Sequence, residues 1–95
     1  MIVRVRYFAI TREIVGLKEE TVESDKPLTA LDTLNLLAER HGEKFREYLF
    51  DPTTGKPRPY LHFMLDGKNL ASMNDLSTKL DHECELAIIP PVGGG

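Results

Sequence analysis

The longest sustained helical period in the sequence runs from Thr29 to Gly42, and strand-type sequence lies on both sides of it. Thr29 can cap the start with Asp32 three residues on, and Leu31, Leu34, Leu37, Ala38 and His41 follow at helical spacing until Gly42 supplies a stop. Adjacent Leu36 and Leu37 widen the apolar stripe, so the helix suits a sheet and not only another helix. At 95 residues the chain is one domain with a single core. All its strands must therefore share this helix as cover.

Residues 2–9 alternate: Val3, Val5 and Tyr7 fall on one face, and Ile2, Arg4, Arg6 and Phe8 on the other. Residues 18–24 read as a second strand forming a hairpin with the first, with one helical turn over residues 11–15 and a turn at Gly16. Residues 43–50 add a short helix with Phe45, Leu49 and Tyr48 turned inward. Residues 51–59 form a surface loop by their turn residues, with no chemistry suggested. Residues 60–65 are a strand closed by Asp66-Gly67, a tight turn into Lys68-Asn69-Leu70. Residues 74–80 look irregular. The last strand, residues 84–89, turns Cys84, Leu86 and Ile88 inward and Glu85, Ala87 and Ile89 outward.

That order predicts an α+β fold of the β-grasp kind. It is a mixed sheet with its first and last strands parallel in the centre and one long helix packed on one face. The domain spans residues 1–89. On the uncovered face Phe8 and Ile89 come together, with Leu70 near them, as an apolar patch.

The chain then ends Pro90-Pro91-Val92-Gly93-Gly94-Gly95. Glycine loses the most backbone entropy on ordering and brings no side chain to a core, so residues 90–95 are expected to be a flexible, extended tail. The prolines cannot donate to a sheet and hold the tail extended as the last strand ends. Such a tail suits a carboxylate that must be threaded into another protein's active site. Gly95 is then the reacting residue, with Gly94 beside it. Phe8, Leu70, Ile89, Pro90, Pro91, Val92 and Gly93 are the candidate partner-binding residues.

Composition removes other classes. A net charge of −3 and a pI near 5.6 give no electrostatic footprint for nucleic acid, so Arg4 and Arg6 beside Phe8 read as a solvated strand face or the rim of a protein interface. No window has the 18 or more apolar residues of a membrane span, and no secretory signal opens the chain, so a cytoplasmic protein is expected. The single Cys84 permits no intramolecular disulfide, and as an inward strand residue it is expected to be inert. His82-Glu83-Cys84 matches no closed metal pattern, so no metal is expected. No P-loop is present; any ATP would be bound by a partner.

Taken together, Val5-Arg6-Tyr7-Phe8-Ala9 with Arg12-Glu13 and Gly16, then Leu65-Asp66-Gly67-Lys68-Asn69, then Glu85 to Val92 and a Gly-Gly end resemble the small subunit of molybdopterin synthase. That family belongs to the ubiquitin-like sulfur carriers. The likeness covers nearly the whole chain, although residues 43–59 are longer than in compact members, Gly93 stands where a small or hydroxylated residue is usual, and Cys84 where the family tends to be acidic or polar.

The resemblance implies that an adenylyltransferase of the ubiquitin-activating type uses ATP to join the Gly95 carboxylate to AMP, and that a sulfur donor enzyme supplies the sulfur that displaces AMP. The resulting thiocarboxylate would serve the molybdopterin synthase large subunit in building the dithiolene of the molybdenum or tungsten cofactor. Catalytic residues would lie on the partners and no cofactor would be bound by the carrier itself. The same tail and fold also fit a ubiquitin-like protein modifier joined through Gly95 to lysines, or a sulfur carrier for tRNA thiolation, thiamine or cysteine synthesis.

Overall fold

The computed structural model describes residues 1–71, 73–80 and 82–91. Strand β1 (Ile2–Tyr7) leads through helix α1 (Ile10–Val15) into strand β2 (Glu19–Glu23), which returns antiparallel to β1. The short strand β3 (Leu28–Thr29) precedes helices α2 (Ala30–His41) and α3 (Glu43–Leu49). Strands β4 (His62–Leu65) and β5 (Lys68–Asn69) form a hairpin; helix α4 (Met73–Leu76), strand β6 (Lys79–Leu80) and strand β7 (Cys84–Ile89) complete the chain.

The main sheet has the order β2-β1-β7-β4-β5, with β1 and β7 parallel at its centre. This is the mixed α+β, β-grasp arrangement expected from the order of elements. Val3, Val5 and Tyr7 of β1, Phe63 of β4 and Leu86 and Ile88 of β7 form the sheet side of the core, against Leu34, Leu37 and Ala38 of α2 and Phe45 and Leu49 of α3.

Local chemistry sets the helix ends. The Thr29 hydroxyl accepts from the Asp32 N–H at 2.9 Å while the Asp32 carboxylate accepts from the Thr29 N–H at 3.0 Å, a reciprocal cap on two otherwise orphaned donors. Gly42, at φ 96°, ends α2 and lets α3 start in a new direction.

Three expectations are corrected. Leu36 is 37% exposed: one residue before Leu37, it is rotated about 100° out of the stripe, whose width comes from Ala30 and Thr33 instead. Strand β4 starts at His62, because the Leu61 N–H is taken by the Arg58 carbonyl in a turn and Tyr60 is left exposed. Within residues 74–80, read as irregular, lies β6, which pairs with β3 as a second, two-stranded sheet. Strands of two residues are too short to show a period.

Candidate functional site

The site begins with which residues share the uncovered face of the sheet. Along β1 and β7 the register sets Arg4 opposite Glu85, Arg6 opposite Ala87 and Tyr7 opposite Ile88, so the next residues, Phe8 and Ile89, fall side by side. On the other flank of β7, Ile89 faces His62 and Ala87 faces Met64. Phe8, Ile89 and Met64 are each part-exposed, and Ala87 is small enough to be covered by its flanking neighbours. The result is an apolar patch where the last strand ends. The Arg6 guanidinium lies 5.3 Å from the centre of the Phe8 ring and 3.7 Å from the Glu85 carboxylate, a rim of charge on one side of the patch.

Phe8 is held by a residue that the sequence reading did not single out. Buried Thr11 accepts the Phe8 N–H at 3.0 Å and donates its hydroxyl proton to the Phe8 carbonyl at 2.5 Å. Ala9, at φ 51°, makes the bend that allows this. Arg12 folds back as well, its Nε–H donating to the Tyr7 carbonyl at 3.3 Å. The available signal was a threonine three residues past the last strand residue on the patch, a spacing at which a hydroxyl can replace a backbone partner.

Leu70 does not join the patch. Across the two-residue turn Leu65 faces Lys68 and Met64 faces Asn69, so Leu70 falls opposite Phe63, whose carbonyl accepts the Leu70 N–H at 2.8 Å. Phe63 is an inward residue, and Leu70 is accordingly in the core at 5% exposure. Pro90, expected in the extended tail, is buried, and Pro91 is exposed. Val92, Gly93, Gly94 and Gly95 lie outside the described residues. Phe8 and Ile89 are thus the two expected contact residues that the structure brings together on the open face.

Cys84 is buried in the core, where burial pushes its thiol pKa up, the nearby Asp66 charge adds to this and Arg4 opposes it. A thiol held protonated in this way is a poor nucleophile. Among the described residues no group of three or more His, Cys, Asp or Glu is placed to hold a metal ion, and no helix is long and apolar enough to cross a membrane.

On the covered side, one carboxylate ties three elements together. Glu20 of β2 accepts from the Tyr7 phenol of β1 at 2.5 Å and from Arg40 of α2 at 2.7 Å, and its other contact is His41 Nε2 at 2.5 Å. Burial pushes the Glu20 pKa up, but the hydrogen bonds from Tyr7, Arg40 and His41 outweigh it and hold the group below its ordinary value. Burial and the same carboxylate push the Tyr7 phenol well above its usual range, so it acts as a donor throughout.

The sequence model of the ThiS family matches residues 5–95 of this chain. Small archaeal modifier protein 3 of Haloferax volcanii is 27% identical over 95 residues, 100% of both chains. Among solved structures, SAMP1 from Haloferax volcanii has a TM-score of 0.83 at 26% identity over 100% of each chain. The putative molybdopterin converting factor, subunit 1, from Pyrococcus furiosus has a TM-score of 0.75 at 25% identity, covering 97% of this chain and 99% of that one.

Proposed function

The chain belongs to the ThiS family, and from that premise we propose that it is a ubiquitin-like sulfur carrier that acts as the small subunit of a molybdopterin synthase. The family match through Gly95 supports the carrier part of this reading, and the likeness to the putative molybdopterin converting factor, subunit 1, of Pyrococcus furiosus supports the molybdopterin part. The Gly95 carboxylate attacks the α-phosphorus of ATP on an activating partner, giving an acyl-adenylate and pyrophosphate. Sulfide equivalents from a donor enzyme displace AMP and leave a thiocarboxylate. Its sulfur attacks a carbon of the pterin precursor on the large subunit and displaces an oxygen leaving group, giving a thioester to Gly95. Water cleaves the acyl–sulfur bond, which leaves the sulfur on the pterin and Gly95 as a carboxylate, and a second carrier repeats the step for the other dithiolene sulfur. The carrier's own contribution is recognition, through Phe8 and Ile89 at the root of the tail.

A second reading, transfer of activated Gly95 to lysine amines, is favoured by the full-length likeness to small archaeal modifier protein 3. One experiment separates them. Thiocarboxylated protein mixed with a molybdopterin synthase large subunit and the cyclic pterin precursor is expected to yield molybdopterin and unmodified Gly95. If no sulfur reaches the pterin, while ATP and the activating enzyme produce isopeptide bonds to lysines, the modifier reading replaces the first.

A further inference from the structure

His62 has two neighbours. On one side it faces Ile89 across the strand pair; on the other it lines a cleft of about 260 Å³ between the 56–59 segment and the β4–β5 edge. Lys56, Arg58 and His62 stand on the walls and Leu61, Phe63 and Leu70 on the floor, and no acidic side chain is among the lining residues. In a chain with 15 acidic and 12 basic residues, basic walls invert the overall balance, and the carboxylate at the rim, Asp75, accepts the Ala71 N–H at 3.1 Å. Its wall is also built. The Asp51 N–H donates to the Lys56 carbonyl at 2.8 Å, the Arg58 N–H to the Leu49 carbonyl at 2.8 Å, and the Arg58 guanidinium to the Glu47 carbonyl at 2.9 Å.

The floor of the cleft ends at an open strand edge, because β5 is the last strand of the main sheet. The Asp66-Gly67 turn, with φ 48° and 85°, is the two-residue kind that makes Leu65 and Lys68 a hydrogen-bonded pair, and Leu70 bonds Phe63. In an antiparallel ladder these pairs alternate, so the Asn69 N–H and C=O point away from β4, at the outer edge of the sheet, and Asn69 is among the residues that line the cleft.

From basic walls, an apolar floor and an edge that can accept a strand, we propose that this cleft receives an extended, carboxylate-bearing segment of the partner protein. The segment pairs with the outer edge of β5 at Asn69 while its carboxylates meet Lys56, Arg58 and His62. The inference rests on the reading of the Phe8–Ile89 patch as a docking surface, with which the cleft is continuous through His62. It makes the partner contact bipartite, with an apolar centre beside the tail and an electrostatic strand contact around the sheet edge.

The probe is a blocked peptide, acetyl-Asp-Leu-Glu-Leu-Asp-amide, titrated into the isotope-labelled full chain and followed by amide chemical shifts. Its control has Asn and Gln in place of the acids. Shifts are expected at His62 and Asn69 to Ala71, with affinity falling between about 0.05 and 0.3 M salt and roughly tenfold weaker binding by the control or by Lys56→Glu protein. Lys56 is exposed, so its variant should keep the remaining spectrum; should it not fold, the control peptide and salt series decide. Equal binding of both peptides, shifts elsewhere, no binding at millimolar peptide, or the same shifts from inorganic phosphate alone would overturn the proposal. The assay contains no ATP, activating enzyme or pterin. Failure here therefore leaves the carrier reading standing, and failure of sulfur transfer leaves this one.

Discussion

Phe8 and Leu86 stand at neighbouring central strands and face opposite ways, which separates binding from stability at the level of single side chains. Phe8→Arg and Ile89→Asp should leave melting nearly unchanged and weaken association with the activating enzyme by about 2 kcal/mol or more, roughly thirtyfold, as loss of an apolar anchor does. Titration calorimetry against that enzyme measures it. Leu86→Ala should instead cost about 2–5 kcal/mol of folding stability, because Leu86 is fully buried. Leu70→Ala belongs with Leu86 and not with Phe8, since its side chain is in the core; denaturant midpoints for the three variants rank them. Thr11→Val should act on Phe8 indirectly. It removes both hydrogen bonds to the Phe8 backbone at a buried site, so partner affinity should fall together with stability.

At the scale of elements, α2 is secured at both ends by different means. Its start depends on the Thr29–Asp32 cap, and Thr29→Ala is expected to cost about 1 kcal/mol, read as a lower melting temperature. Its end is tied to the β1–β2 hairpin through Glu20, which meets Arg40, His41 and Tyr7. The Glu20 pKa is depressed in the fold relative to its ordinary 4.5. The stabilisation is therefore complete above about pH 4.5 and is lost as pH falls through the lower, folded value. Melting temperatures of wild type and Glu20→Gln should differ most near neutral pH and converge in acid; curves that stay parallel down to pH about 3 would remove Glu20 from the account.

For the whole molecule, every described member of the buried hydrophobic cluster lies between Val3 and Ile88. Deleting Gly94 and Gly95 should leave the melting temperature unchanged while abolishing ATP–pyrophosphate exchange with the cognate activating enzyme. Exchange that persists would show that Gly95 is not the activated residue, and a large drop in melting temperature would show that the terminus is part of the fold.

What the amino-acid sequence determined by itself is what period and turn chemistry govern. Alternation in β1 and β7 assigned Val3, Val5, Tyr7, Leu86 and Ile88 to the core and Phe8 and Ile89 to the open face, and the cap at Thr29 and stop at Gly42 bounded α2. Leu70 was expected on the open face and is in the core; counting across the Asp66-Gly67 turn, which sets it opposite Phe63, would have placed it correctly. Tertiary structure alone decided the pairing of β3 with β6, the Glu20 cluster and the basic cleft beside β5. Most of these join residues far apart in the chain, or elements of two residues, where no repeating pattern exists to be read. They arise when the sheet and helix close on one another and bring isolated side chains within hydrogen-bonding distance.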